Sequence, residues 1–464
     1  MRMIIEARIA GPTGSNATIP LAEIERTDGD VRQLGLNLSE GRDLIRDVQR
    51  VLVIAQARTL VEATTHCRHC RATLSIKAMR TIQYRTVFGK VTIDSPQLRR
   101  CTCTKSTSAA SFSPLAQAMP FRVSPELEYL QVKWAAHLPF AVATELLKEI
   151  LPVDQAISTA GLKNRVRTVG QELDDQVESA IRGEREYPSN LKNNTKITAL
   201  AVDSAWLRHC AQPSFMGRHV NIIAGRAVRD DGTSRLYGYV NKEVGSATTR
   251  LDHFLSDEGV PRDQKITVVS DGAGEFEKAV DGSVRLLTRI LDWFHIAMKF
   301  RAIEQSVQKF PDLLAPSGRP IGDEITSAKW LTWHGKCDEA VERLENLHEM
   351  FDLRPVDPAH RPLWWNLRGT YFYLNSNREF LVNYGWRYRR GMPISSSIAE
   401  SAVNQVVSLR CAKKRQMRWT DKGAHLLVQV RVAVLNGELT MREKPIPRRF
   451  PIKEKCVDQL EHAA

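Results

Sequence analysis

The sequence lacks any run of 18 or more apolar residues, so it predicts no membrane-spanning helix and no membrane partner. The first residues, MRMIIEARIAGPTGS, contain too short an apolar patch for a secretory signal peptide. No internal repeat is present either. We therefore expect a cytoplasmic, nucleoid-associated bacterial protein, in a compartment where disulfide bonds are rare.

Acidic residues are scarce relative to basic ones. The 464 residues include 66 Lys and Arg against 53 Asp and Glu, which gives a net charge of +13. This balance favours a polyanionic partner, above all nucleic acid, although a basic protein without such a partner would have the same composition. The length predicts about two to four domains.

Four of the eight cysteines occur as two close pairs. Cys67 and Cys70 lie in HCRHC, Cys101 and Cys103 lie in RRCTC, and the segment between the pairs has the pattern of short strands around a turn. Two thiolates from each of two turns complete a tetrahedron when a hairpin brings the turns together. We therefore predict a zinc ribbon over residues 66–112, with a structural Zn²⁺ bound by the four cysteines.

Other ligand sets remain open, because the second pair is CxC rather than CxxC. His66 or His69 would replace one cysteine in such a set, and four unrelated buried thiols are a further alternative. A site closed by four protein ligands has no open position, so we expect no catalysis at this metal.

Two parts of the N-terminal half have helical periodicity. Residues 1–65 are predicted to be a helical region with an amphipathic helix at GRDLIRDVQRVLVIAQARTLVEA. Residues 113–190 contain three helical segments, and the third places Lys163, Arg165 and Arg167 in its early turns. This arrangement is typical of helix-turn-helix domains that bind DNA, and a plain helical bundle is the alternative.

Strand and helix patterns alternate after residue 195. Three strands, a helix, a strand, a helix and a strand occupy residues 196–305, which is the order of a ribonuclease H-like fold. Residues 306–390 form a Trp-rich helical insertion, residues 391–440 are C-terminal helices of the core, and residues 441–464 are a basic tail. The predicted fold is multidomain α/β: a ribonuclease H-like catalytic core with an all-helical insertion, preceded by the zinc ribbon and a helix-turn-helix-like domain.

Two of the predicted strands end on an aspartate. Asp203 in AVDSAW and Asp271 in VVSDGAGEF follow the first and fourth strands, which are neighbours in such a fold. Two ionised carboxylates about 4 Å apart repel by roughly 4 kcal/mol at an effective dielectric constant of about 20, so we expect a cation between them. Oxygen ligands of this kind suit Mg²⁺ or Mn²⁺, and a pair of such ions supports in-line phosphoryl transfer.

A third acid is expected from a helix that crosses the sheet. The segment SSSIAESAVNQVV supplies Glu400, at the flank of an apolar stripe and shortly after serines that can cap the helix. A solvated glutamate near a helix N-terminus is the alternative interpretation of Glu400.

These motifs carry a family resemblance. AVDSAW, VVSDGAGEF, DWFHIAMK and SSSIAESAVNQVVSLR…KKRQMRW together resemble the DDE transposases of bacterial insertion sequences, and most resemble the ISKra-type group with its helical insertion. The resemblance covers about residues 198–435. It implies that Asp203, Asp271 and Glu400 are the metal-binding catalytic triad and that Asp292 is an auxiliary acid. It also implies that His295 positions DNA or a metal-bound water, with a structural histidine as the alternative.

Basic residues flank the last acid. Cations at such spacings follow a phosphate backbone, and an aromatic ring among them can stack on an unpaired base. The candidates for DNA contact are Arg387, Arg389, Arg390, Lys413, Lys414, Arg415, Arg418 and Trp419. In the insertion, Trp364 and Trp365 fit a hydrophobic core, and the resemblance makes one of them a candidate for contact with a flipped base.

The resemblance implies a transposase that binds the terminal inverted repeats of its element and then cleaves and joins DNA. Such an enzyme acts on double-stranded DNA as a homodimer or larger assembly, because two ends must meet. Two alternatives remain open: a structure-selective nuclease on the same fold, and a domesticated DNA-binding regulator without catalytic activity.

Overall fold

The computed structural model describes most of the chain. The described residues are 1–10, 16–27, 34–103, 110–119, 121–184, 196–210, 219–241, 247–272, 276–352, 356–395, 401–411 and 417–441. They belong to two compact units, residues 1–166 with the segment from residue 439, and residues 167–438. The protein is mixed α/β and multidomain, as predicted.

The first 25 residues contradict the prediction of a helical N-terminal region. Strands β1 (Arg2–Ala10) and β2 (Asn16–Glu25) form an antiparallel pair, and helix α1 (Leu38–Glu62) follows. Isoleucine recurs in both strands, and β-branched side chains favour strands over helices. The predicted helix itself is present, and a capping box between Asn37 and Glu40 begins it.

A second antiparallel hairpin lies between the two cysteine pairs, as predicted. Strand β3 (Ile76–Thr86) pairs with β4 (Gly89–Arg99), which also pairs with the short strand β5 (Ser111–Phe112). Gly89 has φ of +115°, a conformation that favours glycine, and it closes the turn. Helices α1 and α2 (Pro114–Ala118) pack on β4 through a small apolar core.

Three further helices follow the hairpin, where the periodicity predicts them: α3 (Pro125–His137), α4 (Phe140–Ile150) and α5 (Thr159–Ile181). Ser124 begins α3 by accepting the backbone N–H of Leu127, and Ser158 accepts the N–H of Gly161 at the start of α5. The boundary between the two units falls inside α5, after residue 166. Because this helix is continuous, its second half belongs to the α/β unit.

A five-stranded sheet forms the centre of unit 167–438. The sheet contains β6 (Ile197–Arg208), β7 (His219–Arg229), β8 (Ser234–Val240), β9 (Ile266–Ser270) and β10 (Leu287–Leu291). Across the sheet the order is β10-β9-β6-β7-β8. The first three strands are antiparallel neighbours, while β9 is parallel to β6 and β10 is parallel to β9. The first and fourth strands are therefore neighbours, as predicted.

Strand β6 is longer than the sequence indicates. We expect a strand that ends near Asp203, but β6 continues to Arg208 because this part still pairs with β7. Its parallel pairing with β9 ends earlier, at Ala201 and Val269. Asp203 therefore lies inside an antiparallel pair and just beyond the parallel one.

Helices cover both faces of the sheet. Helix α6 (Ala247–Asp257) lies between β8 and β9 in sequence, α7 (Glu277–Asp281) lies between β9 and β10, and both contribute to one apolar core with the sheet. Helix α13 (Asp421–Leu435) contacts β7 and β8. Gly238 permits this contact, since a Cβ there would lie only 3.2 Å from Val428 Cγ1.

The predicted helical insertion follows β10. Its helices are α8 (Trp293–Val307), which leads into it, α9 (Ile321–Trp333), α10 (Cys337–Asp352), α11 (Arg361–Ser376) and α12 (Tyr384–Arg389). They share one hydrophobic core, which also contains Leu291 at the end of β10. The insertion is thus packed directly against the edge of the sheet.

The chain then returns to the sheet through residues 401–411, which are helical and contain a π-helical turn at Asn404–Ser408. We call these residues the π segment. Among the described helices, none combines the length and the hydropathy that a bilayer span requires.

A buried ionic network joins α5 to the sheet. The Nη2 atom of Arg250 donates to Asp174 Oδ1 at 2.9 Å and to Glu178 Oε1 at 2.8 Å. His425 Nε2 also lies 2.9 Å from Asp174 Oδ1, while its Nδ1 accepts the N–H of Val240, so the imidazole donates to the carboxylate. Burial acts to raise the pKa of Asp174, but the hydrogen bonds and charges of His425 and Arg250 outweigh it and lower that pKa.

We expect Asp174→Asn to lower the free energy of unfolding by about 3 kcal/mol at pH 7, since removing one partner of a buried ion pair leaves the other unpaired. The folded pKa of Asp174 is lowered, so its contribution is present above the unfolded value of about 3.9 and is lost as pH falls through the folded value. Urea unfolding at several pH values measures this difference, which should shrink in acid. The exposed Asp43–Arg46 pair is the control, and Asp43→Asn should change stability by less than about 0.5 kcal/mol. Equal effects of the two variants would contradict the expectation.

Candidate active site and metal centre

The four paired cysteines meet at one end of the β3–β4 hairpin. Cys67 Sγ lies 3.5 Å from Cys103 Sγ, and Cys70 Sγ lies 3.3 Å from Cys101 Sγ. All four sulfur atoms lie within 4.8 Å of one another, and His66 and His69 do not belong to this group. Within the described residues, it is the one group of three or more His, Cys, Asp or Glu side chains that meets this distance.

This cluster fits a structural metal such as zinc. Zinc–sulfur bonds of about 2.3 Å in a tetrahedron place sulfur atoms roughly 3.8 Å apart, close to the distances between these thiols. The backbone N–H groups of Cys70 and His69 lower the pKa of Cys67 to about 6, which favours the thiolate that a metal requires. Arg71 completes the first turn with φ of +61°, and it is the single described residue other than glycine with positive φ.

We expect Cys101→Ser to abolish zinc binding and to lower the melting temperature, because binding at a structural site is coupled to folding. Zinc content after purification, measured by atomic emission, and a thermal melt test this. The control is Cys210→Ser, which replaces an exposed cysteine outside the cluster and should keep the metal. Full zinc content in Cys101→Ser would contradict the assignment.

In unit 167–438, three aspartates lie level across three neighbouring strands. The parallel register between β6 and β9, continued by two residues, brings Asp203 level with Asp271. The register between β9 and β10, continued by one residue, brings Asp292 level with Asp271. The backbone N–H of Asp292 also donates to the carbonyl oxygen of Ser270 at 2.9 Å, which continues the ladder. Three acids thus lie just beyond the last parallel pairs of β6, β9 and β10, at one end of the parallel part of the sheet.

Asp203 and Asp271 line a common cavity of about 150 Å³. Glu277, at the start of α7, lines it as well, and its Oε1 accepts a hydrogen bond from Ser270 Oγ at 2.9 Å. Glu277 is buried. The short α7 has no periodic pattern that separates a buried glutamate from an exposed one, so sequence alone could not identify Glu277.

Asp292 is the N-cap of α8. Its Oδ1 accepts the N–H of Phe294 at 2.8 Å, and its Oδ2 lies 2.8 Å from His295 Nδ1. The side chain of Asp292 is fully buried, whereas that of His295 is about one-third exposed. Because a carboxylate only accepts, His295 donates from Nδ1 and its Nε2 remains for other partners.

The carboxylates determine the charge of His295. The hydrogen bond that His295 donates to Asp292 is the largest cause that raises the pKa of His295, and the charges of Asp292, Asp271 and Asp203 raise it further against the effect of burial. The aspartates on all three strands therefore act on one imidazole.

We expect Asp292→Asn to lower the pKa of His295, since asparagine keeps the hydrogen-bond acceptor but removes the charge next to the ring. In the wild type the folded pKa is raised, so this pair stabilises the fold below the unfolded value of about 6.5 and loses that effect as pH rises through the folded pKa. An NMR titration of the histidine ring signals measures both proteins. Asp281→Asn, on the far end of α7, is the control, and an unchanged titration in Asp292→Asn would contradict the expectation.

The predicted third acid, Glu400, lies outside the described residues, as do Lys413, Lys414 and Arg415. The π segment that follows Glu400 is described. Gln405 Oε1 accepts a hydrogen bond from Arg226 on β7 at 2.9 Å, and the guanidinium of the buried Arg431 on α13 donates to the carbonyl oxygens of Gln405 and Val406. These bonds fix the π segment against the sheet, and π turns occur often at functional sites.

Two predicted DNA contacts are contradicted by burial. Arg387 is 9% exposed, and its guanidinium donates to Thr267 Oγ1 and to the carbonyl oxygen of Pro393, both at 3.0 Å. Trp419 is 8% exposed, and its backbone pairs with the end of β6. Both side chains are packed inside the fold, so neither is available to contact a phosphate or a base.

The other predicted cations differ in their surroundings. Arg165 on α5 donates to the buried Glu128 at 2.9 Å, so its charge is paired inside unit 1–166. Arg390 lies with its guanidinium 3.9 Å from the ring centroid of Trp386, a cation–π contact. The residues with exposed side chains are Lys163, Arg167, Arg389, Arg390 and Arg418.

The two tryptophans of the insertion also differ. Trp364 packs against the core of the insertion, whereas Trp365 is 57% exposed. Arg368 lies 5.3 Å from the ring centroids of Trp364 and of Phe372. Trp365 is thus the one of the pair that a ligand can reach.

Comparisons with known proteins identify no family. No protein-family model and no curated protein matches the chain. Among solved structures, the chain is similar to the Drosophila P element transposase strand transfer complex, at 13% sequence identity over 68% of this chain and 79% of that chain. The TM-score of 0.24 is too low for this likeness to establish a shared fold.

Proposed function

We propose that this chain is a DNA transposase that binds the terminal inverted repeats of its element and cleaves and joins DNA by a DDE mechanism. The observation that carries the proposal is the row of Asp203, Asp271 and Asp292 across three parallel strands, with His295 bonded to the last of them. The strand order and the position of the helical insertion support a ribonuclease H-like core and the ISKra-type resemblance.

The donor set fits a hard divalent cation. Asp203 and Asp271, together with Glu400, would bind Mg²⁺ or Mn²⁺, since these ions prefer carboxylate oxygens. When bound, a pair of such ions stabilises charge on the attacking and leaving oxygens of an in-line phosphoryl transfer. The two aspartates already share one cavity at the sheet edge, where a phosphodiester can approach from solvent.

His295 would act on the substrate rather than on the metal. Its raised pKa increases the fraction of imidazolium near neutral pH, and Nδ1 is fixed by Asp292. Nε2 is then the atom that can donate to a phosphate oxygen or to a water molecule. We assign His295 to the orientation of the scissile phosphate, and Asp292 to the orientation and charge of His295.

Recognition of the DNA ends would lie outside the carboxylate site. The cysteine cluster with its hairpin and helices α3 to α5 are the candidate end-binding elements, with Lys163 and Arg167 as exposed cations. Near the carboxylates, the remaining candidates for backbone contact are Arg389, Arg390, Lys413, Lys414, Arg415 and Arg418. Two ends must meet for joining, so the active form would be a homodimer or larger.

We expect the wild-type chain to cleave and join labelled DNA that carries the flanks of its own coding sequence, in the presence of Mn²⁺. Asp203→Asn and Glu400→Gln should each reduce both activities by roughly 10²-fold or more, the scale of losing one group that stabilises transition-state charge. Asp263→Asn, which alters an exposed acid outside the cavity, is the matched control and should keep both activities.

Each other outcome selects a different function. Cleavage without joining, lost in the same variants, would indicate a structure-selective nuclease. Tight DNA binding without either activity would indicate a regulator that has kept the carboxylates without using them. Activity that survives Asp203→Asn would contradict the DDE assignment itself.

A further inference from the structure

The inserted helices make a direct bond to the backbone of Asp271. Tyr373, on α11, donates from its hydroxyl to the carbonyl oxygen of Asp271 at 2.9 Å. The next residue, Gly272, has φ of +78°, and a Cβ at this glycine would lie 2.7 Å from Asn377 Oδ1. Asn377 in turn donates from Nδ2 to the carbonyl oxygen of Tyr373. One end of α11 therefore contacts both residues that follow β9.

The ring of Tyr373 also contacts a cation. The ammonium group of Lys299, on α8, lies 4.4 Å from the ring centroid, which is within cation–π range. Because a carbonyl oxygen only accepts, the Tyr373 hydroxyl is the donor in its bond to Asp271.

A second tyrosine of the insertion makes the same kind of bond on the neighbouring strand. Tyr384 is fully buried, and its hydroxyl donates to the carbonyl oxygen of Leu291 at 2.9 Å, immediately before Asp292. Two phenols from inserted helices therefore bond to the backbone at the ends of two adjacent strands, beside two of the level aspartates. A phenylalanine at either position would keep the packing of the ring and lose the hydrogen bond.

We propose that Tyr373 is a positioning residue for Asp271, through which the helical insertion sets the geometry of the cation site. The carbonyl group that Tyr373 bonds belongs to the same residue as the carboxylate, so the bond limits rotation of the backbone from which that carboxylate extends. This inference rests on the proposed function, because it assumes that Asp271 binds a divalent cation. It also gives the insertion a task in catalysis besides any contact with DNA.

Tyr373→Phe tests the proposal, since it removes one oxygen atom and keeps the ring. We expect the dissociation constant for Mn²⁺, measured by isothermal titration on the full chain, to rise about 10-fold, the scale of losing a group that orients a metal ligand. In Mn²⁺-dependent cleavage, the half-saturating Mn²⁺ concentration should rise by the same factor while the rate at saturating Mn²⁺ is largely recovered. Tyr371→Phe is the matched control, because this tyrosine lies on the same helix and donates to Glu345, away from the cavity.

The outcomes separate this inference from the function on which it rests. If Asp203→Asn abolishes Mn²⁺ binding while Tyr373→Phe and Tyr371→Phe both bind as the wild type does, the positioning role is wrong and the cation site stands. If the wild type shows no Mn²⁺ binding that depends on Asp203, the result contradicts the proposed function, and with it the positioning role that rests on it. A fall in melting temperature without a change in Mn²⁺ affinity would assign Tyr373 a structural role alone.

A second variant covers the case in which Tyr373→Phe does not fold. Gly272→Ala leaves the hydroxyl in place and disturbs the same loop from the side of Asn377, where the new Cβ and the positive φ are both unfavourable. Weaker Mn²⁺ binding in this variant, with a far-ultraviolet circular dichroism spectrum like that of the wild type, would support control of Asp271 by α11. Unchanged binding would contradict it.

Discussion

Repulsion between carboxylates on neighbouring strands constrains much of unit 167–438. Two unit charges about 4 Å apart repel by roughly 4 kcal/mol at an effective dielectric constant of about 20, and this cost must be offset for the sheet edge to form. The protein offsets it differently for each acid. Asp292 accepts hydrogen bonds from Phe294 and His295, whereas Asp203 accepts the N–H of Ser204. For Asp271, the described bond from Tyr373 reaches the backbone carbonyl oxygen.

The helical insertion packs against the same end of the sheet. Its core includes Leu291 at the end of β10, and its aromatic side chains meet around Trp293, immediately after Asp292. Helices that only contacted DNA would have no need to share a core with the sheet edge. The insertion therefore packs against the strand end that precedes Asp292, whatever its outer surface contacts. The exposed Trp365 and Arg390 show that the same helices also present aromatic and basic groups to solvent.

Most of the architecture could be predicted from local patterns, and most of the errors concern burial. Runs of β-branched residues predicted all five strands of the central sheet. The pattern of short strands around a turn predicted the β3–β4 hairpin between the two cysteine pairs. The registers bring Asp203, Asp271 and Asp292 together as the motifs imply. The predictions that Arg387 and Trp419 contact DNA were wrong. A sequence shows charge and aromaticity but not whether the side chains are buried in the fold.

Other features depended on contacts between distant segments. Glu277 was missed because its only signal is the hydroxyl of Ser270, seven residues earlier in the chain. No local pattern indicates that Asp174, in the second half of α5, bonds to Arg250 and His425 far away in sequence. The strand pair β1–β2 was not predicted, because the long amphipathic pattern of α1 led to a helical prediction for all of residues 1–65.

The π segment has a consequence for how this part of the chain can vary. An α-helix turns by about 100° per residue, and a π turn contains one residue more than an α turn, so it offsets the faces on its two sides by about that angle. Residues 401–403 therefore follow a different phase from Leu409–Cys411. Substitutions within Asn404–Ser408 can preserve this offset, whereas the loss or gain of one residue there would rotate residues 401–403 around the helix axis relative to Leu409–Cys411. In homologous chains, the length of Asn404–Ser408 should thus vary less than its sequence.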